Sequence, residues 1–471
     1  MKLSDYVARF LADIGIRHVF VVTGGAVAHL IDSVASQPGI EYVPTLHEQA
    51  AAMAVDGYAR VTGHMGAAMV TTGPGVTNLM TGIACLYYDS LPSIFIAGQV
   101  STMRLSRNAP GVRQLGFQES PHVDMVRPIT KYAVLVEDAA RIRYELEKAV
   151  YLATSGRTGP VLVDIPDDLQ RQEIDPDSLE SFSLPAAVDG SAEIDGQIDR
   201  LLEWIADASR PVLVLGAGVR IAKQEAAARR LGDKLGFPIG LTWAMTDMYA
   251  ADHPLNIGGF GISATRRGNF AVQNADLVLS IGSRLDSHAT GTPITGFARG
   301  ARKIIVDIDA GELAKFASQG MKVDLTIRAD ARDFFAVMDR KLNRIKTRDL
   351  SPWLDRIAEW RRRYPSCPPE FEKQKGSVNP YAFLKTLSRQ TRPDEIIVTD
   401  CGSNLIQTFQ AYAVSEGQRL LSALNNSPMG YSLAGSIGAC FANDRRRVIC
   451  IIGDGGLQVN MQELGAIAES W

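Results

Sequence analysis

Apolar and polar positions alternate along this chain in two rhythms. Short runs of β-favouring apolar residues end in glycine, proline or threonine. Longer stretches follow them, with apolar residues three and four positions apart. The first rhythm predicts strands buried on both faces, and the second predicts amphipathic helices. Residues 4–16 read as a helix, with Ser4 as N-cap, Val7, Phe10, Leu11 and Ile14 on one face, and Gly15 at its end. Strands are predicted over 18–22, 42–45, 66–71, 93–97 and 161–165, and helices over 48–62 and 76–88. A first domain spans 1–170. The polar, acidic segment 171–194 carries two prolines and reads as a linker. A central domain, 195–342, holds strands at 212–215, 277–281 and 303–308. The charged, proline-punctuated stretch 343–378 reads as a second linker. A third domain, 379–471, has strands at 396–399 and 448–452, the latter expected to be fully buried, and a helix over 433–441. Strands alternating with helices predict α/β architecture, with three doubly wound parallel-sheet domains.

Composition supports this and narrows the partners. The chain has 471 residues, 46% hydrophobic and 21% charged, enough for three cores. A net charge of -3 without a basic tract argues against nucleic acid or an anionic membrane as partner. The N-terminus is amphipathic, with Asp5 and Asp13 and no signal core, and no run is long and apolar enough to span a bilayer. The five cysteines are widely spaced, which argues for a reducing, cytoplasmic setting and against structural zinc.

Candidate chemistry gathers where predicted strands give way to helices, the edge at which parallel sheets bind ligands. Glu48 opens a helix just after a strand. Thr71-Thr72-Gly73-Pro74-Gly75 turns into a helix carrying Asn78. Gly116-Phe117-Gln118-Glu119 lies in a punctuated loop, and Pro428-Met429-Gly430-Tyr431 precedes another helix. Gly453-Asp454-Gly455-Gly456 follows the strand at 448–452. A carboxylate on such a glycine turn suits a metal bound to a phosphate. Each feature also has an ordinary structural reading: a dipole-favoured glutamate, a tight turn, a core methionine.

Together, and in this order, these features resemble the thiamine-diphosphate-dependent enzymes, in the acetolactate synthase (acetohydroxyacid synthase) branch. The motifs HEQAAAMAVDGYARVTG, TTGPGVTNLMTGI, GFQES, GPVLVDIPDD, NADLVLSIGSR, VTDCGSN, SPMGYSLAGSIGA and IIGDGG carry the likeness, which runs from the first helix to the last residue. The resemblance implies that domain 1–170 binds the pyrimidine (PYR) and 379–471 the diphosphate and Mg2+ (PP). Glu48 would sit against the aminopyrimidine ring and favour the tautomer that removes the thiazolium proton. Met429 would prop the cofactor in its bent form. Pro74 and Asn78 would flank the pyrimidine, and Phe117 and Gln118 would shape the pocket for the second substrate. Gly24, Gly25, Gly402, Ser403, Asn404, Gly453, Gly455 and Gly456 would approach the cofactor, and Asp454 would be a Mg2+ ligand. The implied reaction is decarboxylation of pyruvate or a related 2-oxo acid, with transfer of the two-carbon unit to a carbonyl acceptor. The seven histidines include no adjacent pair of the kind the decarboxylases use. A homodimer or homotetramer with active sites shared between subunits is expected.

FAD, which acetolactate synthases often hold in the central domain, fits Gly216-Ala217-Gly218, Thr242, Arg284, Asp286, Asp307 and Asp309. Two departures oppose it: Gly261-Ile262-Ser263-Ala264 and Asp286-Ser287-His288 replace the family's Gly-Met-His-Gly and Asp-Asp-Arg. A flavin-linked pyruvate oxidase-like enzyme, or a truncated non-catalytic homologue acting as a partner subunit, are the alternatives, and the presence of Glu48 favours an enzyme. The family completes the Asp454 motif with an asparagine beyond the next helix and strand. Only 471 − 454 = 17 residues follow Asp454, and Asn460 falls inside a helix predicted from about that residue. The third domain is therefore expected to be incomplete, leaving an unpaired sheet edge and an exposed apolar face. If the chain ends at Trp471, weak or absent thiamine diphosphate binding is expected.

Overall fold

A computed structural model describes residues 1–185 and 191–470. Six strands, β1 (His18–Val21), β2 (Glu41–Pro44), β3 (Gly66–Val70), β4 (Ser93–Gln99), β5 (Tyr132–Leu135) and β6 (Pro160–Pro166), form a parallel sheet in the order β2-β1-β3-β4-β6-β5. Helices cover both faces, which is why its strands read as continuous apolar runs. Successive residues point to opposite sides. Val19, Ala67, Met69, Ile94, Ile96, Val161 and Val163 enter one core with helices Leu3–Asp13, Ala28–Ser36 and Ile142–Thr154. Phe20, Ala68, Val70, Phe95, Ala97 and Leu162 enter the other, with helices Glu48–Thr62 and Pro74–Tyr88.

A second parallel sheet consists of β7 (Pro211–Leu215), β8 (Ile239–Leu241), β9 (Asn256–Gly258), β10 (Leu277–Ile281), β11 (Arg302–Asp307) and β12 (Leu325–Arg328), in the order β12-β11-β10-β7-β8-β9. It divides two cores in the same way, with Leu213, Leu279 and Val306 on one side and Val212, Val278 and Ile305 on the other. The smaller third sheet holds β13 (Ile396–Thr399), β14 (Arg419–Leu421) and β15 (Val448–Ile451), in the order β14-β13-β15.

The chain forms two compact units. The first contains the described residues up to 185 together with 398–401 and 421–470, and the second contains 191–397 and 402–420. In the first, helix Glu48–Thr62 crosses helix Tyr431–Ala442 with almost no space between backbones. A Cβ on Gly438 would lie 1.8 Å from the Ala54 carbonyl oxygen, and one on Gly57 would lie 2.1 Å from that of Gly435. Buried Asp56 receives Arg60 Nε at 2.6 Å and the Tyr431 hydroxyl, which fixes the crossing.

Several local expectations need correction. The first helix is capped at Lys2, not Ser4, whose buried hydroxyl instead accepts from Ser33 at 2.9 Å. The stretch 343–378 is not simply a linker. Helix Ser351–Arg363 buries Trp353 and Ile357 in the second unit's core, and the Trp353 indole donates to the Pro211 carbonyl at 3.0 Å. Residues 186–190, central to the first predicted linker, lie outside the described residues. β15 is half-buried along its length because it stands at an edge of its sheet. The helix expected from about Asn460 is Glu463–Ser470, and a separate short helix, Asp454–Asn460, precedes it.

Candidate active site

Helix Glu48–Thr62 begins on a local cap, where the His47 ring accepts from the Gln49 amide at 3.0 Å. It closes at Gly63, in the left-handed region at φ 64°. Its first residue, Glu48, is buried. Asn78, on helix Pro74–Tyr88, donates its amide to Glu48 Oε2 at 2.9 Å. Pro74 begins that helix, where its missing N–H costs nothing. A Cβ on Gly75 would lie 3.7 Å from Glu48 Oε1. Gly24 faces Thr71 so closely that a Cβ would reach 2.4 Å from that residue's own Cβ, and Gly25 is exposed beside it. One cluster thus brings together Glu48, Pro74, Gly75 and Asn78.

The loop bearing Phe117 and Gln118 meets the same turn. Gly73 has φ +63°, and a Cβ there would come 2.6 Å from the Gln118 carbonyl oxygen. Gln118 itself is left-handed at φ 65°. Phe117 is 85% exposed, a large aromatic ring with no core to fill. Behind the turn lies a polar group that sequence inspection passed over: His122, Asp164 and Gln99, all buried. Burial pushes the Asp164 carboxyl up, against the pull of its bond to His122. GPVLVDIPDD contained Asp164, but a lone histidine gave no signal.

The second cluster surrounds Gly430. Buried Asp400, at the end of β13, accepts the amides of Gly430 at 3.1 Å and Ser432 at 3.2 Å. Burial raises its pKa, and these amides oppose the rise. Gly456 packs against the same carboxylate, leaving no room for a side chain. Gly455 approaches Met429, whose methyl would be 3.0 Å from an added Cβ. Met429 is 51% exposed and so not a core methionine. Gly453 caps helix Asp454–Asn460, on which Asp454 is exposed with its Oδ1 2.8 Å from the Gly455 amide. Asn460 is buried, donates to the Gly430 carbonyl at 2.9 Å and lies 3.6 Å from Met53 Sδ. Glu463 accepts the Leu46 amide at 3.1 Å, next to the start of the Glu48 helix. Both clusters therefore belong to one compact unit. Gly402, Ser403 and Asn404 belong to the other, at the head of helix Ser403–Ala411, with Gly402 at φ +69°.

The glycines that tolerate no side chain, the buried Glu48–Asn78 pair and an exposed carboxylate on a glycine turn fit thiamine diphosphate. No group of three His, Cys, Asp or Glu side chains able to hold a metal occurs among the described residues. One carboxylate plus phosphate oxygens is nevertheless an ordinary Mg2+ set. The residues considered for a flavin in the central domain make local contacts. A Cβ on Gly216 would lie 2.3 Å from the Gly282 carbonyl oxygen, Asp286 caps helix Ser287–Thr290, and Asp309 caps helix Ala310–Ser318. Arg284 lies 3.6 Å from Asp286, and Asp307 accepts the Asp309 amide at 2.9 Å. Thr242 closes a turn by accepting the Met245 amide at 2.8 Å. The loop after Gly261 folds back, with the Ile262 amide on the His288 carbonyl at 2.8 Å and Trp243 against the His288 ring at 4.2 Å.

This constellation defines a thiamine-dependent enzyme, and comparison with known proteins agrees. The thiamine pyrophosphate enzyme N-terminal TPP binding domain matches residues 1–123, the central domain 198–338 and the C-terminal TPP binding domain 400–470. The chain is 31% identical to the acetolactate synthase large subunit of Lactococcus lactis, over 98% of its own length and 78% of that protein's. It is 31% identical to the isozyme 3 large subunit of Escherichia coli (98% and 79%) and 32% identical to acetolactate synthase 1, chloroplastic, of Zea mays (99% and 71%). The chain belongs to the thiamine pyrophosphate enzymes, in the branch of the acetolactate synthase large subunits. No helix among the described residues is long and apolar enough to cross a membrane.

Proposed function

We propose that this protein is a thiamine-diphosphate- and Mg2+-dependent carboligase that decarboxylates pyruvate, or a related 2-oxo acid, and passes the two-carbon unit to a carbonyl acceptor. The observation that carries the reading is the buried Glu48 carboxylate, held by Asn78 at the head of a helix and next to a Gly-Pro-Gly turn. Bound thiamine diphosphate supplies the carbon that stabilises the developing carbanion. Glu48 would act as general acid/base toward the pyrimidine, and Asn78 orients its carboxyl group. Pro74 and Gly75 form the adjoining wall. Met429 offers an apolar prop. The backbone at Gly24, Gly25, Gly453, Gly455 and Gly456 would receive the cofactor, and Asp454 would receive its Mg2+. Phe117 and Gln118 would shape the pocket in which the acceptor meets the cofactor-bound unit.

We assign the central domain a structural role without FAD, because its candidate groups are engaged inside the protein. A colourless protein after incubation with FAD and gel filtration is expected, and stoichiometric retained flavin would overturn this. We also propose a cytoplasmic homodimer or homotetramer. All five cysteines are free, and Phe117, Met429, Val459 and Met461 present apolar surface that a second copy would cover. Sites shared between subunits predict recovered activity on mixing Glu48→Gln with Asp454→Ala chains.

The deciding experiment incubates the protein with pyruvate, thiamine diphosphate, Mg2+ and a panel of aldehydes and 2-oxo acids, with products identified by mass. Acyloin or acetohydroxy acid products without net oxidation are expected. Pyruvate left untouched in every mixture would refute the proposal.

A further inference from the structure

The buried group behind the Gly73 turn is not explained by packing alone. His122 is 1% exposed, on helix His122–Val126. Its Nε2 lies 3.0 Å from the Gly73 backbone nitrogen. A backbone N–H can only donate, so Nε2 must be the unprotonated, accepting nitrogen. The proton of the neutral ring then sits on Nδ1, which faces Asp164 Oδ2 at 2.9 Å. That carboxylate selects the tautomer, as an orienting acid does for any histidine that must present one lone pair. Gln99 completes the group. Its amide donates to Asp164 Oδ2 at 3.0 Å and to the Ser120 carbonyl at 3.1 Å. The Thr72 hydroxyl lies 2.8 Å from Gln99 Oε1 and 3.1 Å from the Gln118 carbonyl oxygen.

These bonds have a direction. They begin at β6 and β4, in the rigid interior of the sheet, and end on two loops that must be held in strained or crowded backbone: Gly73 at φ +63° and Gln118 at φ 65°. Beyond Gly73 the chain runs into the helix that carries Asn78 and so holds Glu48.

We propose that His122 is a positioning residue: presented by Asp164 as an acceptor, it captures the Gly73 amide and locks the Gly73 turn against the Gln118 loop, setting the geometry of the Glu48–Asn78 pair. The consequence for the cofactor rests on the thiamine reading given above, but the lock itself does not.

Two variants separate the halves of the histidine. His122→Gln keeps an acceptor at the Nε2 position and gives up the donor to Asp164. His122→Asn keeps a donor near Nδ1 and gives up the acceptor. Hydrogen exchange resolved at the Gly73 amide is expected to accelerate about tenfold in His122→Asn, the effect of losing one buried hydrogen bond. In His122→Gln it should stay within about threefold of the parent, since that bond is kept. Equal exchange in parent and His122→Asn, or equally fast exchange in both variants, would overturn the proposal. Ring 15N shifts of His122 in the unmodified protein give an answer that does not depend on any variant folding: a protonated Nδ1 and a bare Nε2 support the lock, and a proton on Nε2 refutes it. Calorimetric titration with thiamine diphosphate and Mg2+ then reads the consequence. With the lock established by exchange, His122→Asn should bind about tenfold more weakly than His122→Gln. Equal affinity would refute transmission to the site, and no binding by the parent protein would refute the thiamine reading instead.

Discussion

Gly438→Ala puts a single methyl group into the crossing of helices Glu48–Thr62 and Tyr431–Ala442. The new carbon would start 1.8 Å from the Ala54 carbonyl oxygen, whereas ordinary contact begins near 3.4 Å, so the helices must part by about 1.6 Å. A flexible side chain could rotate away, but a helical carbonyl cannot. The cost should therefore approach the upper end of overpacking penalties, ~3 kcal/mol. Replacing a helical glycine with alanine returns ~1 kcal/mol through lower unfolded-state entropy. The net expectation is ~2 kcal/mol of destabilisation, or a urea midpoint about 1 M lower for a denaturant slope of roughly 2 kcal/mol/M. Gly196→Ala is the matched control. It is also helical, but an added Cβ there meets nothing within 4 Å, so it should stabilise the second unit by ~1 kcal/mol. The assay is urea unfolding by circular dichroism, with hydrogen exchange on peptides 48–62 and 431–442 to assign the transition. A Gly438→Ala midpoint at or above the parent's, with Gly196→Ala behaving as expected, would refute the close-crossing argument.

Asp247 is buried between Arg220 Nη2 at 2.7 Å and Arg419 Nε at 2.9 Å. Burial pushes its carboxyl up, but the two guanidiniums and the Leu420 amide outweigh that and hold it below the usual carboxylate range. A lowered folded pKa stabilises above the unfolded value, about 3.9, and that contribution is lost as pH falls through the folded one. The second unit should therefore lose stability progressively below about pH 4, and Asp247→Asn should flatten that acid limb while costing ~3–5 kcal/mol near neutrality. An acid limb unchanged in pH-dependent urea titrations of Asp247→Asn would contradict this. Glu48→Gln should lower carboligation by about 10²–10⁴-fold, the usual worth of a general acid/base, while leaving calorimetric cofactor affinity within about tenfold. Asp454→Ala should remove the Mg2+ dependence of cofactor binding, and titrations with and without Mg2+ that still differ would count against its role.

Much of the fold was legible because its interior strands are covered on both faces and so read as unbroken apolar runs. β10 and helix Glu48–Thr62 have the predicted ends. The strands that escaped notice, β5, β8, β9, β12 and β14, are three or four residues long, and all but β8 lie at sheet edges. Such segments are too short to show a period. Helix Ser351–Arg363 is masked by its charge, although Trp353, Ile357 and Trp360 carry a helical spacing. At the site, residues in glycine-rich motifs were visible because the backbone there is constrained. His122 and Glu463 were not, and Asn460 read only as a helix residue, because each acts through a bond to a distant backbone atom that nothing in its own neighbourhood announces.

Asp400 holds the Gly430 and Ser432 amides with one side chain and leaves Gly456 no space on the other, since a Cβ there would sit 2.0 Å from its Oδ2. Positions 400, 430 and 456 are thereby a single unit of inheritance. A side chain at Gly456 is excluded as long as Asp400 keeps its place, and a change at Asp400 releases two amides at once. A library that varies Asp400 and Gly456 together, trading a shorter acceptor for a small side chain, relieves the conflict that single changes at Gly456 meet.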